Sequence, residues 1–331
     1  MKHTLLGLAA AAALVTAPGM AVAKELSFAT FIPATSTTVK TVYEPWIEWF
    51  NNQTSEHGVT IRLFAGGSLG RSPLAQADLV RSGVADITLT VPSYTPGVYP
   101  DFDIFELPNF LASTAEGSQV AHEMYREGLL RGYEEFYVIA MYTSGTYMIH
   151  TKNPVASVAE LRDKRIRVAG QIQTAVVEAL GGVPVTMGAG EMAENIDRGL
   201  IDGAMTDASV ARSFRVADVA TNHLNTSLGV LVFAMVLNKD VYDGLPEPVK
   251  AVLEASGQKI IDLQAENYGG FVDRTLVEWE ASPDHTLVEL TDADMAALEA
   301  AVAPVVERVA AAASPGLLEA FRAKVAEVRA R

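Results

Sequence analysis

The chain contains no cysteine. Disulfide staples, thiolate nucleophiles and sulfur-ligated zinc sites are therefore excluded, and the fold must rest on burial and hydrogen bonding alone. Histidine is scarce. His3, His57, His122, His150, His223 and His285 show no HxH, HxxxH or HExxH spacing, so no transition-metal site is expected. They read as surface or internally satisfied structural residues. Positive charge is short as well: 25 Lys and Arg stand against 40 Asp and Glu, a formal net charge of −15. Such a surface argues against nucleic acid and anionic lipid as partners. It does not argue against a small anionic ligand, because surface charges are screened within about 8–10 Å and one buried arginine can dominate a closed cleft. Beyond the N-terminal segment no apolar run approaches the ~18 residues a membrane helix needs. Repeats and disordered linkers are also missing. Asp101, Asp103 and Glu106 lie close together, but their spacing is not that of a calcium loop.

What is present begins with an address. Lys2 and His3 precede an apolar run over residues 5–15, too short to span a bilayer, and Ala21-Val22-Ala23 forms an A-x-A box. This predicts an export signal over residues 1–23, cleaved after Ala23, and a soluble protein outside the cytoplasm, in the periplasm.

The remainder is long enough for two domains. Residues 26–31, 59–64 and 84–91 read as strands, separated by helices over about 36–51 and 72–81. The strand at 84–91 is nearly continuously apolar, as a buried parallel strand should be. Residues 136–142 and 148–150 are further strand candidates, with Gly145 between them. A second α/β unit follows: a short helix from Ser157 with Glu160 in capping-box position, a strand at 165–168, a helix at 174–180 stopped by Gly181-Gly182, a strand at 183–187, a helix at 191–199 and a strand at 203–205. The apolar strand at 230–237 reads as a return to the first unit. Residues 247–280 form a long helical stretch containing Gly269-Gly270, and 292–331 an Ala-rich amphipathic tail broken at Ser314-Pro315-Gly316. Two α/β units with several crossovers make a hinged clamshell.

The order NPVASVAELRDKRIRVAG followed by GGVPVTMGAGEMAENIDRGLIDGAMTD, residues 153–207, resembles the solute-binding proteins of TRAP transporters, the DctP type. The likeness runs from residue 26 to about 290 and lies in order and spacing rather than in any one residue. It implies an α/β, two-lobed periplasmic-binding-protein clamshell with a long helix spanning both lobes. Residues 24–145 plus about 232–269 would form lobe 1, and 146–231 plus about 270–331 lobe 2. It implies a partner, the TRAP-type membrane permease subunits, and no catalysis, cofactor or metal; a monomer is expected. In that family the arginine of the strand matched here by Arg167 holds the ligand's carboxylate, and a guanidinium suits the task because its planar fork gives two parallel charge-assisted hydrogen bonds. Read alone, Arg167 fits an exposed arginine paired with a surface acid better than a ligand-binding residue.

Pro92-Ser93-Tyr94 and Phe105-Glu106-Leu107-Pro108 resemble family segments at the ends of first-lobe strands. Their aromatics read as pocket or as core, and Tyr94 is the best pocket candidate because it joins a flat apolar face to a polar tip. Glu191 reads as a structural helix-start residue and Asp202-Gly203 as a turn. Many relatives place an asparagine where this chain has Thr206, and many that bind sialic acid or dicarboxylates carry a second arginine where it has Tyr147. A single arginine facing Tyr147, Tyr94 and Phe31 suits a small organic acid with one carboxylate and an apolar or aromatic body. Asp207 is placed to meet a ligand amine or hydroxyl.

A rival class remains. Gly66-Gly67-Ser68-Leu69-Gly70 matches the nucleophile-elbow pattern G-x-S-x-G, which would make the protein an exported serine hydrolase with His285 as base. Only one strand precedes the strand that leads into the motif, where a hydrolase needs several. A third reading is a ligand-sensing subunit that presents the same clamshell to a receptor.

Overall fold

The computed structural model describes residues 24–331, so the expected export signal and its cleavage point lie outside the described residues. Among the described residues the strands are β1 (Lys24–Ala29), β2 (Val59–Phe64), β3 (Ile87–Thr90), β4 (Phe136–Thr143), β5 (Met148–Thr151), β6 (Arg165–Val168), β7 (Val183–Thr186), β8 (Gly203–Thr206), β9 (Asn222–Asn225), β10 (Val232–Asn238) and β11 (Thr286–Glu289). They form two sheets. The first has the order β2-β1-β3-β10-β4, with β1, β2 and β3 parallel and β10 antiparallel to its neighbours. The second has the order β11-β9-β5-β8-β6-β7, with β6 parallel to β7 and β8.

The first lobe follows from its periodicity. Tyr43, Trp46 and Phe50 recur at helical spacing and are fully buried. They meet Phe28 of β1, whose ring stands edge-on to Trp46 at 6.0 Å. The helix is not uniform: a π-helical stretch, Val39–Tyr43, precedes the α-helix Glu44–Thr54.

Three connections join the lobes. Two are the links from β4 to β5 and from β9 to β10, and they run side by side. The Ser144 N–H donates to the Leu231 carbonyl at 3.0 Å, Tyr147 N–H to the Gly229 carbonyl at 2.8 Å, and Leu228 N–H to the Tyr147 carbonyl at 2.7 Å. The third is the long helix, built from Glu247–Leu263, a π-helical stretch Gln264–Gly269, and Gly270–Ala281. Its first part packs on β4 and the Glu44–Thr54 helix, its last on β11 and the Ala208–Ser213 helix. Gln264 Nε2 donates to the Thr143 carbonyl at 2.9 Å, tying the helix to β4 where it leaves its sheet.

The tail folds as Asp292–Ala312 and Leu317–Arg329, separated at Ser314-Pro315-Gly316. It returns across the molecule. Phe321 packs on Phe105 and Phe110, and the Ser314 N–H and hydroxyl both reach the Asp101 carboxylate at 2.8 Å. The helix Thr114–Arg126 is an addition to the expected elements; Ser113 Oγ accepts from Glu116 N–H at 3.1 Å and Glu116 Oε1 accepts from Ala112 N–H at 3.1 Å. Strands β9 and β11 are additions as well. Asp202 lies in a bend, and Gly203 opens β8 as the strand expected at 203–205; a Cβ on Gly203 would run into the His150 carbonyl.

Candidate functional site

The site is built around β6. Arg165 and Arg167, two residues apart, have different surroundings. Arg165 is half-buried and grips Asp202 with Nε and Nη2, both at 3.0 Å. Arg167 is 4% exposed. Its Nε donates to the Met187 carbonyl at 3.0 Å, and Nη1 lies 3.5 Å from the Met205 carbonyl. No carboxylate reaches it within salt-bridge distance among the described residues. Burial pulls its pKa down, and nearby Tyr147 and Tyr94 push the other way. An arginine stays charged even so, so the cleft encloses a cation held only by neutral groups.

The other expected residues fall around it. In β8, Ala204 pairs with Arg167. At its end Thr206 is fully buried, and its Oγ1 has no hydrogen-bond partner. Tyr147 lies in the first crossover, buried, and Tyr94 in the turn Pro92–Tyr94 that follows β3. Phe31 follows β1, with its ring 6.4 Å from that of Tyr94. The C-terminal ends of parallel strands are where open α/β sheets bind ligands. Asp207 is also buried, but the chain uses both its oxygens. Oδ1 accepts from Val210 N–H at 2.9 Å as a helix N-cap, and Oδ2 accepts from Tyr268 O–H at 2.9 Å. Burial raises its pKa to about 6. Glu191 caps its own turn as expected, with Oε2 accepting from Gly188 N–H at 3.0 Å.

One residue of the cleft is not among those expected. Glu106 closes the turn Pro100–Glu106 and is 2% exposed. Ser93 Oγ donates to its Oε1, while Oε2 is buried without a partner. Burial pushes its pKa up to about 8; Ser93 and Gln173 pull down and Asp103 pushes up. The signal available in the sequence was its place in Phe102–Leu107, an acid set among Phe, Ile and Leu.

The histidines form an array. His150 faces His223 across β5 and β9. The His150 Nδ1 and His223 Nδ1 lie 2.8 Å apart, and His223 Nε2 and His285 Nδ1 2.9 Å apart. His150 Nε2 donates to the Thr206 carbonyl at 3.2 Å. That donation fixes one tautomer for each ring: His150 accepts at Nδ1, His223 donates from Nδ1 and accepts at Nε2, and His285 donates from Nδ1. Trp279 stacks on His223 at 3.9 Å. His285 is therefore engaged in the second sheet, whereas Ser68 is exposed in the turn after β2, the edge strand of the first sheet. The glycines there make a tight turn: Gly66 and Gly67 have φ of 69° and 73°, and their N–H groups donate to the Ile32 and Thr30 carbonyls at 2.8 and 2.9 Å.

Two α/β lobes, paired crossovers and a shared helix around a buried cation define a clamshell solute-binding protein. Residues 28–313 match the family of bacterial extracellular solute-binding proteins, family 7, the DctP family. The chain belongs to that family and is a TRAP-type extracytoplasmic solute-binding protein; such proteins bind small organic ligands and work with membrane subunits. It is 23% identical over 270 residues to the ectoine-binding periplasmic protein TeaA of Halomonas elongata, covering 79% of this chain and 78% of that one. A marine-metagenome TRAP solute-binding protein specific for aromatic acids, solved with 3-hydroxybenzoate, has 25% identity and a TM-score of 0.85 over 93% of this chain and 99% of its own. A TRAP periplasmic solute-binding protein from Desulfovibrio salexigens has 26% identity and a TM-score of 0.82, covering 93% and 96%.

Proposed function

We propose that this protein captures a small organic acid with one carboxylate and an apolar or aromatic body, through a salt bridge to Arg167, and delivers it to a TRAP-type permease. The observation that carries this is Arg167 itself. Among the described residues its guanidinium is buried against backbone carbonyls with no chain carboxylate in reach. A ligand carboxylate would supply the missing counter-charge through two parallel hydrogen bonds. Tyr94, Tyr147 and Phe31 supply flat apolar faces, and Thr206 Oγ1 a further hydrogen-bonding group. Asp207 acts indirectly, holding Tyr268 and the first turn of the Ala208–Ser213 helix. The ligands named for relatives vary: ectoine and 3-hydroxybenzoate each carry one carboxylate, whereas another relative is a C4-dicarboxylate-binding protein.

In this reading the protein does no chemistry on its ligand. It is a periplasmic monomer exported by residues 1–23. Residues 24–145 plus about 232–269 move as one lobe and 146–231 plus about 270–290 as the other; the last helix, Leu317–Arg329, packs on the first lobe through Phe105 and Phe110. A thermal-shift panel of organic acids on the wild type and Arg167→Ala tests it. Ligand at about 100 times its Kd stabilises the native state by about 2.7 kcal/mol. Monocarboxylates should raise the melting temperature of the wild type and leave that of the variant in place; equal shifts in both would move the carboxylate site elsewhere.

A further inference from the structure

Glu106 is a second ionisable group that the cleft buries without an ionic partner. Its backbone is pinned. Val230 N–H donates to the Phe105 carbonyl at 2.9 Å, and Gly229, at φ 92°, lies so close that a Cβ there would collide with the Glu106 carbonyl. The carboxyl is thus held where the Pro100–Glu106 turn puts it. Ser93 occupies Oε1. Oε2 faces the second lobe, where a Cβ on Gly170 would lie 3.8 Å from it. Gln173, whose own Oε1 is engaged by Ala169 N–H at 2.8 Å, keeps its amide donor beside the Glu106 carboxyl and pulls its pKa down, but makes no hydrogen bond to Oε2. A buried acid oxygen without a partner costs free energy comparable to a lost hydrogen bond. Tyr94 and Tyr147 each feel both Arg167 and Glu106. The two rings therefore lie within range of a cationic end and an acidic end of one cleft.

We propose that the cleft has two poles and that Glu106 is a specificity-determining residue: its Oε2 hydrogen-bonds a hydroxyl on the ligand's body, which makes the preferred ligand a hydroxylated monocarboxylate. This rests on the Arg167–carboxylate reading and adds the second contact. Charge balance selects the hydroxyl. Arg167 and the ligand carboxylate cancel, so the far pole must stay neutral, and burial keeps Glu106 protonated up to about pH 8. A hydroxyl both donates and accepts, so it satisfies Oε2 whether or not that oxygen carries the proton. An ammonium would require the ionised acid that burial disfavours. A second carboxylate would have to share the single proton of Glu106.

Calorimetric titration of matched acids tests the second pole. The pairs are benzoate and 3-hydroxybenzoate, phenylacetate and mandelate, and butyrate and 3-hydroxybutyrate, with 3-aminobutyrate as the ammonium arm. In the wild type at least one hydroxy acid should bind about tenfold or more tighter than its parent, about 1.4 kcal/mol. In Glu106→Leu that advantage should shrink below about threefold, and Glu106→Gln should retain most of it. Glu106→Ala gives the same readout without added bulk if the leucine variant fails to fold. An advantage that survives both apolar variants overturns the proposal, as does 3-aminobutyrate binding better than 3-hydroxybutyrate. Parents and hydroxy acids that bind equally, and through Arg167, overturn the second pole and leave the arginine reading standing. Binding that ignores Arg167→Ala, or no binding by any acid, overturns both.

Discussion

The rim of the second sheet and the cleft beside it use the same chemistry to opposite ends. At the rim, Arg165 and Asp202 saturate one another, and the bond holds the Asp202 carboxyl below its usual range. In the cleft, Arg167 and Glu106 are both buried, no ion pair joins them, and burial pushes each toward neutrality. A self-satisfied pair contributes to the fold and offers nothing to a ligand. Two separated groups cost the fold and keep their interactions for whatever enters. Proteins commonly concede stability at functional sites in this way.

The sharpest break between the two is Arg167→Ala. Removing one partner of a buried charged pair costs ~2–5 kcal/mol, so carboxylate affinity should fall ~30-fold to several thousandfold. The melting temperature of the ligand-free protein should hold or rise, because an uncompensated buried charge is gone. Arg167→Lys should also bind poorly, since an ammonium cannot reproduce the fork. Arg165→Ala should do the reverse, lowering the melting temperature slightly and sparing affinity. Calorimetry and thermal melts on the three variants decide it; equal affinity losses in both alanine variants would erase the distinction.

Ligand charge comes next. Succinate should stabilise the protein less than monocarboxylates. Its second carboxylate would be buried unpaired, a cost of several kcal/mol, and it finds no second arginine where this chain has Tyr147. Tyr147→Arg should shift preference toward dianions. A thermal-shift panel led by succinate would contradict this.

Part of the cleft could be read in the sequence and part could not. Arg167 was legible because the strand, the helix after it and the Gly-Leu-Ile-Asp-Gly run keep a recognisable order. The long helix was legible from its periodicity, and the crossovers from the apolar run over 230–237. Glu106 was not singled out, because its isolation depends on Ser93, Gly170 and Gly229, far away in sequence. The histidine array was equally hidden: His150 and His223 meet only through the antiparallel register of β5 and β9. Strands β9 (NHLN) and β11 (TLVE) are short and lack a clear alternation. The Thr114–Arg126 helix, in contrast, carried a readable Ser113-x-x-Glu116 cap.

The buried groups also give stability two opposed pH dependences. Burial lowers His150 and His122 from 6.5 to about 4. The unfolded chain then binds the extra protons, so their contribution is complete above pH 6.5 and lost as pH falls toward 4. Glu106 is raised from 4.5 to about 8, so its contribution is complete below 4.5 and lost as pH climbs through 8. Glu106→Gln should flatten the decline between pH 5 and 8 and leave the acid side unchanged. Urea unfolding at pH 4, 5, 6.5 and 8 measures this; an unaltered decline would mean that Glu106 is ionised in the fold.

The smallest effect concerns closure. Ligand should reduce the radius of gyration measured by small-angle scattering, by rotation about Ser144-Gly145 and Leu231–Phe233. Gly270→Ala adds helix propensity of about 1 kcal/mol. Its Cβ would lie 3.2 Å from the flexible end of Arg274, whereas Gly269→Ala would press on Thr114 at 3.3 Å. Gly270→Ala should therefore weaken closure with only a modest change in affinity. Identical scattering with and without saturating ligand would show a rigid pocket.

The most direct test of the central claim is a crystal structure of the protein with its captured acid. Both oxygens of one ligand carboxylate should lie within hydrogen-bonding distance of the Arg167 guanidinium, with the ligand's body against Tyr94 and Tyr147. A carboxylate seated elsewhere, with Arg167 still facing only the Met187 and Met205 carbonyls, would contradict the account.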